Sequence, residues 1–195
     1  MHPDEATLVV RAQAGDIGAF GALAEQHGRR VHRLAYRFCW DRDDADDIAQ
    51  ETFVRAFEYV RSFRQGSDFA PWLYRIAVNV CLAHRKRQQR AQGAASILAT
   101  ETDGAGRAGL AQRIVVSSRV QEEIRRLPGR QRAAVVLFEL EGLSVNETAC
   151  AMGCAAGTVK RHLHRARDTL RRRLLDLVED AADTSGGGEG ELQRR

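Results

Sequence analysis

The stretch from Leu143 to Arg173, LSVNETACAMGCAAGTVKRHLHRARDTLRRR, constrains the fold more tightly than any other part of the chain. Ser144 and Glu147 stand three residues apart at the head of an apolar run. This is the spacing of a capping box, in which the serine hydroxyl and the glutamate carboxylate each take up a backbone N–H left unpaired at a helix start. The helix that begins there is predicted to stop at Gly153, because glycine enters the left-handed conformation of a C-terminal cap without steric cost. A second helix restarts near Gly157. Two short-linked helices of this kind form a helix-turn-helix, mainly a DNA-docking device.

At 100° per residue the second helix places Val159, Leu163, Ala166 and Leu170 in one narrow arc, the buried stripe of an amphipathic helix. Lys160, Arg161, His164 and Arg165 share the opposite face, on the first turns, where such motifs meet base edges and phosphates in the major groove. A charge run is usually a solvated face. The capped helix and glycine turn ahead of this one favour DNA contact instead. Arg167, Arg171, Arg172 and Arg173 extend the positive surface and suit a helix C-terminus, as phosphate neighbours or as plain solubility.

The rest of the composition sets limits. A chain of 195 residues with 44% hydrophobic and 29% charged residues is an ordinary globular protein of one or two domains. A net charge of +4 favours an acidic partner only mildly, since clustering matters more than the sum. No apolar run approaches the ~20 residues needed to cross a bilayer, and the N-terminus lacks the pattern of a signal peptide, so no membrane insertion and a cytoplasmic location are expected. Cys39, Cys81, Cys150 and Cys154 suggest neither a disulfide framework nor a metal site. Cys154, just past the turn glycine, is explained by packing between the helices. No paired carboxylates, activated nucleophile or phosphate-cradling glycine loop can be assembled, which argues against an enzyme and against a cofactor.

Along the chain, residues 8 to 40 carry apolar positions at helical spacing in two or three helices, broken at Gly15-Asp16, where the aspartate is a fair N-cap. Asp41 to Val60 loads acids at a helix start. Winding it places Ala45, Ile48, Ala49, Thr52 and Ala56 on one face and Asp47, Gln50, Glu51 and Val54 on the other. The pattern leaves open whether this second face docks a basic partner helix around its valine or is simply solvated. A polar loop, SFRQGSD, leads to a helix from about Phe69 or Pro71 to Arg90, apolar over much of its girth, with a polar stripe of Arg75, Asn79 and Lys86. That stripe suits a single strand or a base edge, or else a scaffold hydrogen bond at Asn79. Residues 1–90 therefore read as one helical domain and 91–118, rich in Ala, Gly, Thr and Ser, as a flexible linker. Residues 119–179 read as a second domain of four helices, and 180–195 as a disordered tail. The fold class is all-α, two small domains.

Three stretches together, DADDIAQETFVRAF, FAPWLYRIAVNVCLAHRKR and LPGRQRAAVVLFELEGLSVNETACAMGCAAGTVKRHLHRARDTLRRRL, resemble regions two and four of bacterial sigma factors of the compact extracytoplasmic-function group. The resemblance implies a non-catalytic transcription-initiation subunit. It implies that Asp47, Gln50, Glu51 and Val54 dock on the beta-prime clamp helices of RNA polymerase core, with the beta flap a further contact. It implies that Arg64 and Ser67 in the loop, with Arg75, Asn79 and Lys86, open and read the minus-ten promoter element. Thr158, Lys160, Arg161, His164 and Arg165 then read the minus-thirty-five element, and an anti-sigma factor is the expected inhibitor. Arg161 departs from the family pattern, which has a small serine there; Ala83 replaces an acidic residue, and Thr148 and Cys150 stand where Ile and Glu are typical. The rival reading is a free-standing helix-turn-helix regulator that never binds core enzyme.

Overall fold

The computed structural model describes residues 4–95 and 111–185, and every regular element among them is helical. In order these are α1 (Glu5–Gln13), α2 (Ile17–Cys39), α3 (Arg42–Tyr59) with a 3-10 turn at Val60–Ser62, and α4 (Phe69–Ala95). Then come α5 (Ala111–Arg126), α6 (Gly129–Val135) running into a π-helical turn at Val136–Leu140, α7 (Val145–Met152) and α8 (Ala156–Ser185).

Local chemistry explains the breaks. The Asp16 carboxylate accepts the Ala19 N–H at 3.0 Å and starts α2, as expected for an N-cap; Asp41 does the same for Asp44 at 3.0 Å and starts α3. Helix α2 ends on Trp40 in the left-handed conformation (φ 59°), a strained position for a residue with a side chain. Pro128 is the N-cap of α6 and separates it from α5.

In the N-terminal half, α2, α3 and α4 pack together with α1 laid across α2. Their apolar stripes close over a core that includes Leu23, Leu34, Phe38, Ile48, Leu73 and Val78. The C-terminal half is built on Leu127, Ala133, Leu137, Met152, Val159 and Leu163, the last two from the stripe anticipated for α8. Three boundaries differ from expectation. Helix α4 continues to Ala95 and α5 already begins at Ala111, both inside the stretch read as linker, and α8 continues to Ser185, past the predicted start of a disordered tail. Alanines in 91–95 and at 181–182 sustain helix where the apolar period has lapsed, because alanine is the best intrinsic helix former, and in α5 the apolar Ile114, Val115 and Val116 already lie inside the helix. The remainder of the expected linker, 96–110, and of the tail, 186–195, lies outside the described residues.

The two halves also pack on each other, which composition gave no sign of. Helix α7 lies along α4, and the π turn meets α2. Glu141, its side chain only 2% exposed, receives Arg33 and Arg37 of α2, each at 2.9 Å, and Arg37 also donates to the Leu140 carbonyl. Arg132 of α6 donates to the carbonyls of Phe38 (2.9 Å) and Ile124 (3.1 Å), and Arg85 of α4 donates to that of Leu127 (2.7 Å). These acceptors belong to helix C-termini or lie just past them, where the macrodipole presents partial negative charge. The seam is tight at Gly129, where an added Cβ would come within 2.7 Å of Leu82 Cδ2.

Candidate nucleic-acid interface

The helix-turn-helix forms as its caps dictate. Both halves of the capping box are made: the Glu147 N–H donates to the Ser144 hydroxyl at 3.2 Å, and the Ser144 N–H donates to the Glu147 carboxylate at 2.8 Å. Those bonds hold the Glu147 carboxyl below its ordinary range, the Ser144 hydroxyl first. Gly153 closes α7 at φ 61°. Helix α8 then starts at Ala156, one residue ahead of the expected restart.

On α8, Lys160, Arg161, His164 and Arg165 are all exposed, and Thr158 is half-buried at the first turn. The structure therefore brings the predicted set together on one open face. Asp168 joins them, its carboxylate 2.9 Å from His164 Nδ1, which turns the other ring nitrogen outward. His162, between Arg161 and Leu163, is half-buried; burial first, then the charges of Arg130, Arg161 and Arg165, lower its pKa. Its surroundings thus oppose a positive charge on the ring. The more distal arginines divide. Arg167 is bound to Glu139 at the π turn and Arg173 to Glu123 of α5 at 3.0 Å, ties within this half, whereas Arg171 is exposed.

In the N-terminal half, Asp47, Gln50 and Val54 are exposed on α3, Val54 by 53%. Glu51 differs from its neighbours. It is half-buried between Arg87 at 2.8 Å and Arg55 at 2.6 Å, and the Arg87 hydrogen bond leads in holding its carboxyl below the usual range. The four residues line one groove between α3 and α4, together with His84, Arg87 and Gln88. Along α4, Arg75, Asn79 and Lys86 are exposed, as are Arg64 and Ser67 in the preceding loop. Arg75 and Asn79 open into a cleft of about 220 Å³ that also holds Arg55, Tyr59, Trp72 and Ile76. Aromatic faces flanked by guanidinium and amide groups suit stacking and edge recognition of an unpaired base. Lys86, further along α4, is not part of that cleft.

Sequence reasoning missed three contributors here. Arg55 and Tyr59 enter the cleft from α3, and only the packing of α3 on α4 reveals it. Gln13 of α1 donates to the Val60 and Phe63 carbonyls at 3.0 and 2.7 Å and accepts from Gln65 at 2.9 Å, anchoring the loop that carries Arg64 and Ser67. No local signal marks a glutamine some fifty positions from its partners.

Residues 23–91 match the family model for sigma-70 region 2, and residues 117–170 that for sigma-70 region 4. Among curated proteins, the chain is 33% identical over 186 residues to the RNA polymerase sigma-H factor of Pseudomonas aeruginosa, covering 89% of this chain and 95% of that one. It is 38% identical over 170 residues to the ECF RNA polymerase sigma factor SigM of Mycobacterium tuberculosis strain H37Rv, covering 87% and 84%. Among solved structures it is similar to CnrH in complex with the cytosolic domain of CnrY, at 26% identity and a TM-score of 0.64, over 89% of this chain and 97% of that one. The chain belongs to the extracytoplasmic-function sigma factors of the sigma-70 family. It is a non-catalytic, DNA-binding subunit that confers promoter-specific initiation on RNA polymerase. No helix among the described residues is long and apolar enough to cross a membrane.

Proposed function

We propose that the three surfaces divide the work of initiation. The exposed Asp47, Gln50 and Val54, with Glu51 poised between two arginines, dock on the beta-prime clamp helices of RNA polymerase core. Charge at the rim steers and the valine adheres. The α3–α4 cleft with Arg75 and Asn79, together with Arg64 and Ser67 in the loop ahead of α4 and Lys86 further along it, receives the unpaired strand of the minus-ten element. Thr158, Lys160, Arg161, His164 and Arg165 read the minus-thirty-five element as duplex, with the C-terminal half seated on the beta flap. The protein acts in the cytoplasm, where an anti-sigma factor restrains it. CnrH, solved with the cytosolic domain of CnrY, offers a parallel for such a complex.

The observation that carries this reading is the aromatic and cationic cleft between α3 and α4, which a duplex-binding regulator has no use for. Run-off transcription with purified core enzyme tests it. Asp47→Lys abolishes co-purification with core while leaving the far-ultraviolet circular dichroism unchanged, since Asp47 is exposed and outside the core. Core binding that survives this substitution would overturn the assignment of this face.

A further inference from the structure

Between the two halves lies a cavity of about 250 Å³ whose walls come from both. Four arginines line it: Arg85 from α4, Arg125 and Arg126 from α5, and Arg132 from α6, with Glu122 as an opposing acid. Glu122 sits 3.7 Å from Arg125 and 3.4 Å from Arg126. Arg126 has a second acid in Glu123 at 2.8 Å. Arg85 and Arg132 have no carboxylate within ion-pair distance among the described residues; both donate only to backbone carbonyls. Arg132 is 5% exposed. Burial first, then the charges of Arg85 and Arg125, push its pKa down to about 10, and burial lowers that of Arg85.

A helix C-terminus offers about half a unit of negative charge, and the face of the Phe38 ring, 5.4 Å from the Arg132 guanidinium, adds a weaker attraction, so buried Arg132 and half-buried Arg85 are compensated only in part. A buried cation without full compensation destabilises the structure that holds it. An anion entering the cavity removes that penalty, and guanidinium groups match phosphate oxygens in geometry as well as charge. The volume sets the size. It falls below the ~300 Å³ at which drug-sized ligand pockets begin, which suits one or two phosphoryl groups better than a whole nucleotide.

We propose that this cavity is a binding site for a small phosphorylated anion of the pyrophosphate type, held by Arg85, Arg125 and Arg132, and that its occupancy fastens the C-terminal half to the N-terminal half. One ligand would then join α4 to α5 and α6 across the seam.

Calorimetric titration of the full chain with inorganic pyrophosphate, against sodium chloride of matched ionic strength, tests this. One saturable site is expected, weakened about tenfold or more by Arg125→Gln or by Arg85→Gln, the loss of one charge-assisted contact, and unchanged by Arg29→Gln on the exposed side of α2. Pyrophosphate should also slow hydrogen exchange at the amides of Leu127 and of residues 129–132 in the unsubstituted protein. Absence of saturable heat, or equal weakening by all three substitutions, overturns the proposal. So does competition by oligothymidylate at equal phosphate concentration, which would make the cavity part of a nucleic-acid surface. Arg132 is left intact because its two carbonyl bonds also hold α6 in place.

Discussion

At the scale of single residues, the N-cap of α7 and one position inside it show how much hangs on one polar group. The Ser144 hydroxyl is half of a completed capping box, so Ser144→Ala is expected to lower stability by about 1 kcal/mol in chemical denaturation. The pH dependence has a definite sign. Glu147 has a depressed pKa in the folded state, so its contribution is full above the ordinary 4.5 and is lost as pH falls through the folded value. In Ser144→Ala that acid-side loss shrinks, because the leading cause of the depression is gone. Thr148, one residue on, is the opposite case. It is fully buried, and its hydroxyl has no hydrogen-bond partner among the described residues. Thr148→Val keeps the shape and removes the unpaired group, and is expected to raise stability by about 1 kcal/mol on the same measurement. The sequence marked Thr148 as a departure from its family; the fold adds that the departure is destabilising.

At the scale of elements, α8 carries the face proposed to read the minus-thirty-five element. Val159, Leu163 and Ala166 of its apolar stripe are buried and its basic face is exposed, so substitutions on that face are expected to alter recognition without disturbing the core. Arg161→Ala is expected to cost about 1–3 kcal/mol of discrimination at one promoter position if the guanidinium reads a guanine edge; selection from a promoter library against core enzyme plus the variant measures it. Uniform weakening across the library would identify a phosphate contact instead. Helix α4 shows where legibility ended. Its broad apolar girth and its Arg75, Asn79 and Lys86 stripe were readable from periodicity, since neighbours three and four apart share a face. That Arg75 and Asn79 share a cleft with Tyr59 and Arg55 was not, because those groups approach from another helix. The same limit applied on α3, where Glu51 looked like a free acid beside Asp47 and is in fact committed to Arg87, 36 positions away.

At the scale of the whole molecule, the two halves are closed on each other. A compact chain of this length has a radius of gyration of ~16 Å. The two promoter elements named above lie about 25 base pairs apart, or ~85 Å at 3.4 Å per pair, so a closed molecule cannot span them. On the proposed assignment of one element to each half, the halves are expected to part on the promoter. Glu141 is the point at which to force it: nearly sealed from solvent, it binds two arginines of α2 at once. Glu141→Arg sets three cations against one another and is expected to open the molecule. Small-angle scattering should show the radius of gyration rising well above the closed value, with circular dichroism unchanged because each half keeps its own core.

By itself the sequence determined what short-range rules can determine: the helices, their caps at Asp16, Ser144 and Gly153, the buried stripe of α8, its basic face, and the order of two sigma regions along the chain. Caps and faces are settled by residues within four positions of each other, and such contacts can be read directly from a string of letters. The tertiary structure alone decided which charges are spent internally, how Gln13 holds the loop, and that Glu141 clasps Arg33 across 108 positions. Those outcomes depend on the packing of whole helices, in which the partner of a side chain is chosen by the geometry of the core rather than by anything written beside it.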